Sequence, residues 1–542
     1  MGIPSYFSYI IKNYPNIIRK LSFIKERSIH HLLMDCNSIL YDSFHEIKTK
    51  PDTTTENIET RIIDASIQKI EKLILEIAPT KTVYITFDGV APMAKIEHQR
   101  LRRFRSAFME DILCQFENRE DILCQFENKN KNTNTNTNTR VEWTTAAITP
   151  GTKFMETLSD RIRRHFTQKN ESGSGSYKIR ISCSKEAGEG EHKLFEFIRS
   201  SPSMLLTDEC CVYGLDSDLI MLSIFHVSMC KNIYVFRESP EFMKSDISMP
   251  RVKDGFLFMD IDVLSKSLSH ELSYNSHGNT GNNRMHDYIF MCFFLGNDFL
   301  PRFPALNIRT NGFQILIDTY KMHMSKYANR VFILDGQIQW KWVHLFVNEL
   351  AKQERGHIQR ELDSRNKFSY ITKSNANQKT DLESIINDVP IFYRGAEKYI
   401  SPKYGFWEER YYRALLHGER SQLSKEISRN YLEGLEWVYK YYTIGCVDWS
   451  WKYKYHYPPL LTDLSKNIPN NSNHSNNYVF GNKKEDKHDH DVMGSLRYVL
   501  AKRHRHLIPE SESGSESEPG SDPNPEWEWA FKRYFWEGSM KL

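Results

Sequence analysis

Cys210-Cys211-Val212-Tyr213-Gly214-Leu215-Asp216-Ser217-Asp218 is the stretch that decides the fold. Its first six residues are apolar or aromatic apart from one glycine. The run is short, and it suits a strand buried on both faces of a parallel sheet. Two aspartates close it. The same pattern occurs at Leu32-Leu33-Met34 into Asp35, and at Val83-Tyr84-Ile85-Thr86-Phe87 into Asp88. In open α/β sheets the chemistry sits outside the carboxyl ends of the strands. Asp35, Asp88, Asp216 and Asp218 are therefore expected on one rim. A fourth apolar run, Phe290 to Leu295, leads to Asp298, and Gly188-Glu189-Gly190-Glu191-His192 adds two more carboxylates. Like charges this dense repel one another, and some must stay protonated. Divalent cations remove that penalty, and Mg²⁺ favours carboxylates together with substrate phosphates. The residues alone point to a two-metal phosphodiester site.

Composition sets the outer bounds. A chain of 542 residues can hold two or more domains with real cores. Hydrophobic residues at 40% and charged residues at 26% are ordinary for a globular protein. A net charge of +3 makes any nucleic-acid footprint a local patch. Nine cysteines without CxxC spacing argue for reduced thiols rather than a disulfide framework or a zinc site. The longest apolar stretch, Ile289 to Leu295, is far short of the ~20 residues a membrane span needs. Lys12, Asn13, Pro15 and Arg19 interrupt any signal-peptide core, and Tyr6 stands where myristoylation needs Ser or Thr. The expectation is a soluble intracellular protein.

Working outward from the strands, a helix is expected from Tyr6 to about Leu21, and another over Ile62 to Ile77, ended by Pro79. Residues 93–128 read as one long polar helix. It contains a direct duplication, because residues 111–118 recur as 121–128, followed by a Lys/Asn/Thr low-complexity run at 129–139. Such a tip tolerates length change and has no catalytic role here. Ile148 to Gly151 reads as a turn and Thr152 to about Thr167 as a helix. Residues 275–283 read as a loop, 286–295 as a buried helix, and the chain after 320 as mostly helical to about 442. An Asn/Lys/His loop (466–491) and an acidic Ser/Gly/Pro segment (510–525) read as disordered. The aromatic run Trp527 to Trp536 is expected to pack back on the body.

These residues together resemble the XRN family of 5′→3′ exoribonucleases. The likeness runs through Met1-Gly2-Ile3-Pro4, Met34-Asp35-Cys36-Asn37-Ser38-Ile39-Leu40 and Phe87-Asp88-Gly89-Val90-Ala91-Pro92. It continues with Lys95, Gln99 and Arg100 to Arg105, then Ile148 to Thr152, Gly188 to Lys193, Tyr213 to Leu222 and Leu295 to Pro301. Fainter matches reach Gly434-Leu435-Glu436-Trp437, Trp449 to Tyr457 and Arg533 to Glu537.

The resemblance implies an α/β, PIN/FEN-like, mostly parallel central sheet flanked by helices, with a largely helical second conserved region packed around it. It implies a nuclease domain at 1–320 with a protruding helix and insertion at about 93–140, and the helical region at 321–465. Residues 466–525 would be mostly disordered, with a short ordered stretch at about 492–509, and 526–542 a packed terminal segment. The implied activity is metal-dependent 5′→3′ degradation of 5′-monophosphorylated single-stranded RNA to nucleoside 5′-monophosphates. Asp35, Asp88, Glu189, Glu191, Asp216, Asp218 and Asp298 would hold two Mg²⁺ ions, with Mn²⁺ able to substitute. Lys95, Gln99, Arg102 and Arg103 stand at i, i+4, i+7 and i+8 on one helical face; in the family the matching residues hold the 5′-phosphate. For base stacking the family uses a histidine and a tryptophan. Tyr41 stands at the histidine position, and the tryptophan is one of Trp437, Trp449 or Trp451. Ala187 stands where the family has proline. The expected state is a monomer without membrane attachment. The absence of a Cys/His zinc knuckle leans toward the cytoplasm, with the nucleus left open, and the length suggests a catalytic core.

Two other readings compete. A flap-endonuclease-like DNA nuclease shares the metal logic, but would carry a Gly-rich helix-hairpin-helix after Asp298, where Phe299 to Ile308 show no such pattern. A catalytically inactive RNA-binding protein would gain nothing from mutually repelling acids.

Overall fold

The three apolar runs become adjacent strands of one sheet. A computed structural model of the chain describes residues 3, 5–48, 57–115, 143–171, 177–201, 206–240, 255–273, 281–376, 394–469 and 491–509. Its strands are β1 (Ile18–Arg19), β2 (His31–Asp35), β3 (Thr82–Thr86), β4 (Lys178–Ser182), β5 (Glu209–Tyr213), β6 (Asn232–Glu238) and β7 (Phe256–Asp260). They form a seven-stranded sheet in the order β1-β7-β6-β5-β2-β3-β4. β2 to β6 are parallel, while β7 is antiparallel to both β6 and β1. The chain runs from β2 out to β3 and β4, then returns to the other side of β2 for β5 and β6. That reversal makes the carboxyl ends of β2 and β5 a topological switch point, where ligands bind in open α/β sheets.

Side chains alternate between the two faces. Leu33, Cys210 and Val212 join one apolar cluster with Phe195 and Leu219, whereas Leu32, Met34, Val83, Ile85, Cys211 and Tyr213 join the other. A one-residue slip of β2 would turn all of these to the wrong side, so the register that pairs Met34 with Ile85 and Tyr213 is strongly specified. Helices Asn37–Lys48, Ile58–Ile77 and Lys153–Glu171 cover one face, and Gly190–Ser200, Asp218–His226 and Ile261–Leu272 cover the other. The first of these clusters, the one holding Leu33 and Leu219, continues unbroken into the helical part of the chain: Phe290, Trp437, Tyr442 and Leu464 also belong to it.

Several local expectations change. The helix foreseen from Tyr6 to Leu21 ends at Asn13; a 3-10 turn at Pro15–Ile17, β1 and a short helix Leu21–Lys25 follow. Pro15 has no amide hydrogen to continue the first helix, and the freed Ile18–Arg19 joins the sheet edge. Residues 281–283, foreseen as loop, belong to helix Gly281–Cys292. Residues 466–467, foreseen as loop, end the helix Leu461–Asn467. The second copy of the duplication, the low-complexity run at 129–139, residues 470–490 and the segments 510–525 and 526–542 lie outside the described residues. All seven cysteines with described side chains are free and buried. No helix among the described residues is long and apolar enough to cross a membrane.

Candidate active site

The acids reach the rim from several different elements. Asp35 ends β2, Asp88 follows β3, and Asp216 and Asp218 follow β5. Glu189 and Glu191 lie at the start of helix Gly190–Ser200. That helix approaches so closely that a Cβ at Gly190 would stand 2.5 Å from Asp35 Oδ1, which leaves room only for glycine. Asp298 arrives through a tight bend in which Gly296 has φ +82 and its missing Cβ would meet the backbone nitrogen of Arg302 at 2.7 Å. Asp88 is held by Asn37, whose amide donates to Oδ2, and by the Gly190 backbone amide, which donates to Oδ1 at 2.7 Å.

The resulting cluster is crowded and under-compensated. Carboxylate oxygens of Asp35, Glu191 and Asp216 lie within 4.8 Å of one another, and so do ligand atoms of Glu189, Glu191 and His192. Burial drives the Asp35 and Glu191 carboxyls well above their ordinary range, with Asp88 adding to the first and Asp218 to the second. Burial and the neighbouring Asp298 push Asp218 up to about 7. Burial acts on Asp298 too, but the Lys95 ammonium, 2.6 Å from its Oδ2, holds it well below that range. Buried Asp35 Oδ1, Glu191 Oε2 and Asp218 Oδ1 have no hydrogen-bond partner among the described residues. Partnerless buried oxygens of this kind are costly, and a set of carboxylate oxygens this large fits a hard divalent cation.

A cavity of about 340 Å³ opens beside the cluster. Asp35, Asp88, Glu189, Glu191 and Asp216 line one part of it, and Gln99, Arg102 and Arg103 line another. Helix Met93–Gln115 carries the basic group, anchored where the Met93 amide donates to the Trp449 carbonyl at 2.9 Å. Arg103 donates through Nη2 to Thr149 Oγ1 at 2.7 Å. Lys95, on the same helix, lines this cavity as well. Its ammonium is buried 2.5 Å from Glu189 Oε1 and 2.6 Å from Asp298 Oδ2, inside the acid cluster.

The aromatic expectations divide. Tyr41 lines the cavity, whereas Trp437, Trp449 and Trp451 are not among its lining residues. Trp437 is fully enclosed, donates to the Asp448 carbonyl at 2.8 Å, and stacks on Tyr441 and Trp451. No face of its ring is left for a base, because the aromatic-rich segment packs into one column. Trp449 lines a separate cavity of about 40 Å³ with Ala187 and His192. The His192 ring stacks on Tyr441 at 3.7 Å and is held neutral by burial and by Arg199.

Sequence reading did not find Asn37 as the holder of Asp88, nor Tyr441, whose hydroxyl donates to Glu189 Oε2 at 2.8 Å. Tyr441 stands one helical turn after Trp437, which was the available signal. His98 lies 3.5 Å from Asp298. Glu110 and His504 also line the cavity, and no sequence pattern marks them.

Residues 1–239 match the family model described as XRN 5′-3′ exonuclease N-terminus, and residues 281–394 and 403–471 match the Xrn1 helical domain. The chain is 26% identical over 687 aligned positions to 5′-3′ exoribonuclease 2 of Arabidopsis thaliana, covering 100% of this chain and 66% of that protein. It is 30% identical over 396 positions to 5′-3′ exoribonuclease 2 of Kluyveromyces lactis, covering 65% of this chain and 39% of the relative. It is 24% identical over 641 positions to 5′-3′ exoribonuclease 1 of Saccharomyces cerevisiae, covering 94% of this chain and 40% of the relative. The chain thus spans between 39% and 66% of the length of these relatives. Models of one family match both residues 1–239, which hold six of the acids, and the helices that wall the site, and the chain belongs to the XRN 5′-3′ exonuclease family.

Proposed function

We propose that this chain is a divalent-metal-dependent 5′→3′ exoribonuclease acting on single-stranded RNA with a 5′-monophosphate. The observation that carries the reading is the set of partnerless buried oxygens on Asp35, Glu191 and Asp218 at the switch point of the sheet, beside a cavity walled by Gln99, Arg102 and Arg103. The seven acids Asp35, Asp88, Glu189, Glu191, Asp216, Asp218 and Asp298 would hold two Mg²⁺ ions, with Mn²⁺ able to substitute. Ions bound there supply an acidified water as nucleophile and charge compensation for the leaving 3′ oxygen. No protein nucleophile takes part.

The chain's own groups do the positioning. Lys95 and Tyr441 fix Glu189, Lys95 also fixes Asp298, and Asn37 with the Gly190 amide fixes Asp88. Arg102 and Arg103 suit a terminal phosphate through planar, multiply donating guanidinium groups, with Gln99 beside them. Tyr41 offers a ring face to the first base. Water adds to the phosphorus between the first two nucleotides, the bond to the 3′ oxygen breaks, and that oxygen takes up a proton. The first nucleotide leaves as a 5′-monophosphate, and the shortened RNA again carries the end that the pocket accepts. Residues 1–320 act as the nuclease half and 321–465 as its helical wall. The free thiols suit a reducing compartment such as the cytoplasm.

A time course on 5′-labelled monophosphate RNA tests the reading. Mononucleotide from the first time point, abolished by EDTA and weaker on 5′-hydroxyl RNA, on capped RNA and on the DNA equivalent, is expected. Internal fragments, or equal turnover of all ends, would overturn it.

A further inference from the structure

Helix Met93–Gln115 places Lys95, Gln99, Arg102, Arg103, Ser106 and Glu110 along the cavity. At 1.5 Å rise per residue this stripe is about 22 Å long. Lys95 marks its acidic end, so Glu110 marks the far end. The side chain that meets Glu110 there comes from a remote part of the chain. His504, in the 3-10 turn Lys502–Leu507, lines the same cavity with Nε2 3.4 Å from Glu110 Oε2. Arg503 Nε lies 3.5 Å from the same oxygen. His504 is 4% exposed, and its Nδ1 has no partner among the described residues. That nitrogen is itself enclosed, so the ring meets the cavity as a fixed wall.

Residues 491–509 are built to hold this position. Asp491 caps helix Val492–Val499 by accepting from the Gly494 amide at 2.8 Å. Leu496 and Leu500 pack with Ala146 on one wall of the cavity, and Val499 packs with Val90, Ala91 and Ile96. The Tyr498 hydroxyl donates to Glu97 Oε1 at 2.5 Å, and the Arg100 guanidinium lies 4.4 Å over its ring. This segment falls outside the residues matched by either family model.

Resting on the reading of Gln99, Arg102 and Arg103 as the 5′-phosphate site, we propose that residues 491–509 set the depth of the pocket, with His504 as the specificity-determining residue at its far end. The imidazole closes the space behind a 5′-monophosphate. A 5′-triphosphate would have to displace it. Glu110 is a positioning residue that holds the ring in place.

The test uses the full chain, Mg²⁺ and two RNAs of one sequence, bearing 5′-monophosphate or 5′-triphosphate. His504→Ala, and Leu500→Asp, which undocks the segment, should each raise the ratio of triphosphate to monophosphate turnover about tenfold, the usual scale for losing one wall contact. Glu110→Gln should move the ratio the same way by less, without a change in thermal midpoint, and His504→Gln should restore most of the discrimination. An unchanged ratio in His504→Ala overturns the inference. So does complete loss of monophosphate turnover in folded His504→Ala, which would place His504 in the chemistry itself. Failure of the wild-type chain to degrade monophosphate RNA would instead overturn the functional reading beneath it.

Discussion

The two ends of the same three strands treat buried carboxylates in opposite ways. At the amino ends of β2, β3 and β5, Asp208 lies 2.8 Å from Lys81 Nζ through both oxygens and 2.8 Å from His31 Nε2, with His30 at 3.8 Å. Burial alone would raise Asp208, but the hydrogen bonds from Lys81 and His31 outweigh it and hold the group below its ordinary range. At the carboxyl ends, Asp35, Glu191 and Asp218 are raised instead, and each keeps a buried oxygen without a partner. Lys95 is shared between Glu189 and Asp298 and compensates only part of the cluster. A buried acid matched by local cations is scaffold. Acids in excess of their cations form a site for a ligand that brings positive charge with it.

That contrast can be broken in four ways. Replacing Asp216 and Asp218 together by alanine should lower nucleotide release on the order of 10³-fold or more, since the acids act as a unit. A double variant with wild-type turnover would remove the difference between the two ends. Asp208→Asn should do the reverse. Denaturant unfolding should show a loss of about 2 kcal/mol for a broken buried pair, while activity per folded molecule stays at the wild-type level. A third measurement titrates Mg²⁺ or Mn²⁺ into RNA-free protein. Burial, aided by neighbouring acids, keeps Asp35 and Glu191 protonated well above the usual range, and Asp218 up to about 7. Protons therefore compete with the metal at low pH and release as pH rises. Apparent affinity should strengthen about tenfold or more from roughly pH 5.5 to 7.5, and a flat profile would count against the raised carboxyls. The mildest change is Tyr441→Phe, which removes one hydrogen bond to Glu189, worth about 1 kcal/mol or roughly fivefold in turnover. A larger loss in steady-state assays would move Tyr441 from support into the chemistry.

The rim was legible because buried parallel strands leave a local mark. Leu32 to Asp35 and Cys210 to Asp216 are continuous apolar runs ended by acids, and that pattern needs no partner to be recognised. β1 and β7 were not legible in the same way, since a two-residue edge strand and an antiparallel neighbour carry little periodic signal. Lys95 shows a different limit. Helical spacing put it on a face with Gln99, Arg102 and Arg103, yet spacing does not say how deep one end of a helix sinks, and here the first turn enters the acid cluster. The tryptophans show the opposite limit. Aromatic density predicts that rings stack without saying whether on one another or on a ligand, and Trp437 and Trp451 chose each other. His504 was invisible because a 3-10 turn remote in sequence meets Glu110 only through tertiary docking.

The unbroken apolar cluster that joins Leu219 and Phe290 to Trp437 and Tyr442 has a practical corollary for anyone dissecting this protein. A fragment stopping near residue 320 would lose the tyrosine that braces Glu189 and would bare a wide oily surface to water. Such a truncate should be recovered as aggregate, and its silence in an assay would say nothing about where catalysis resides.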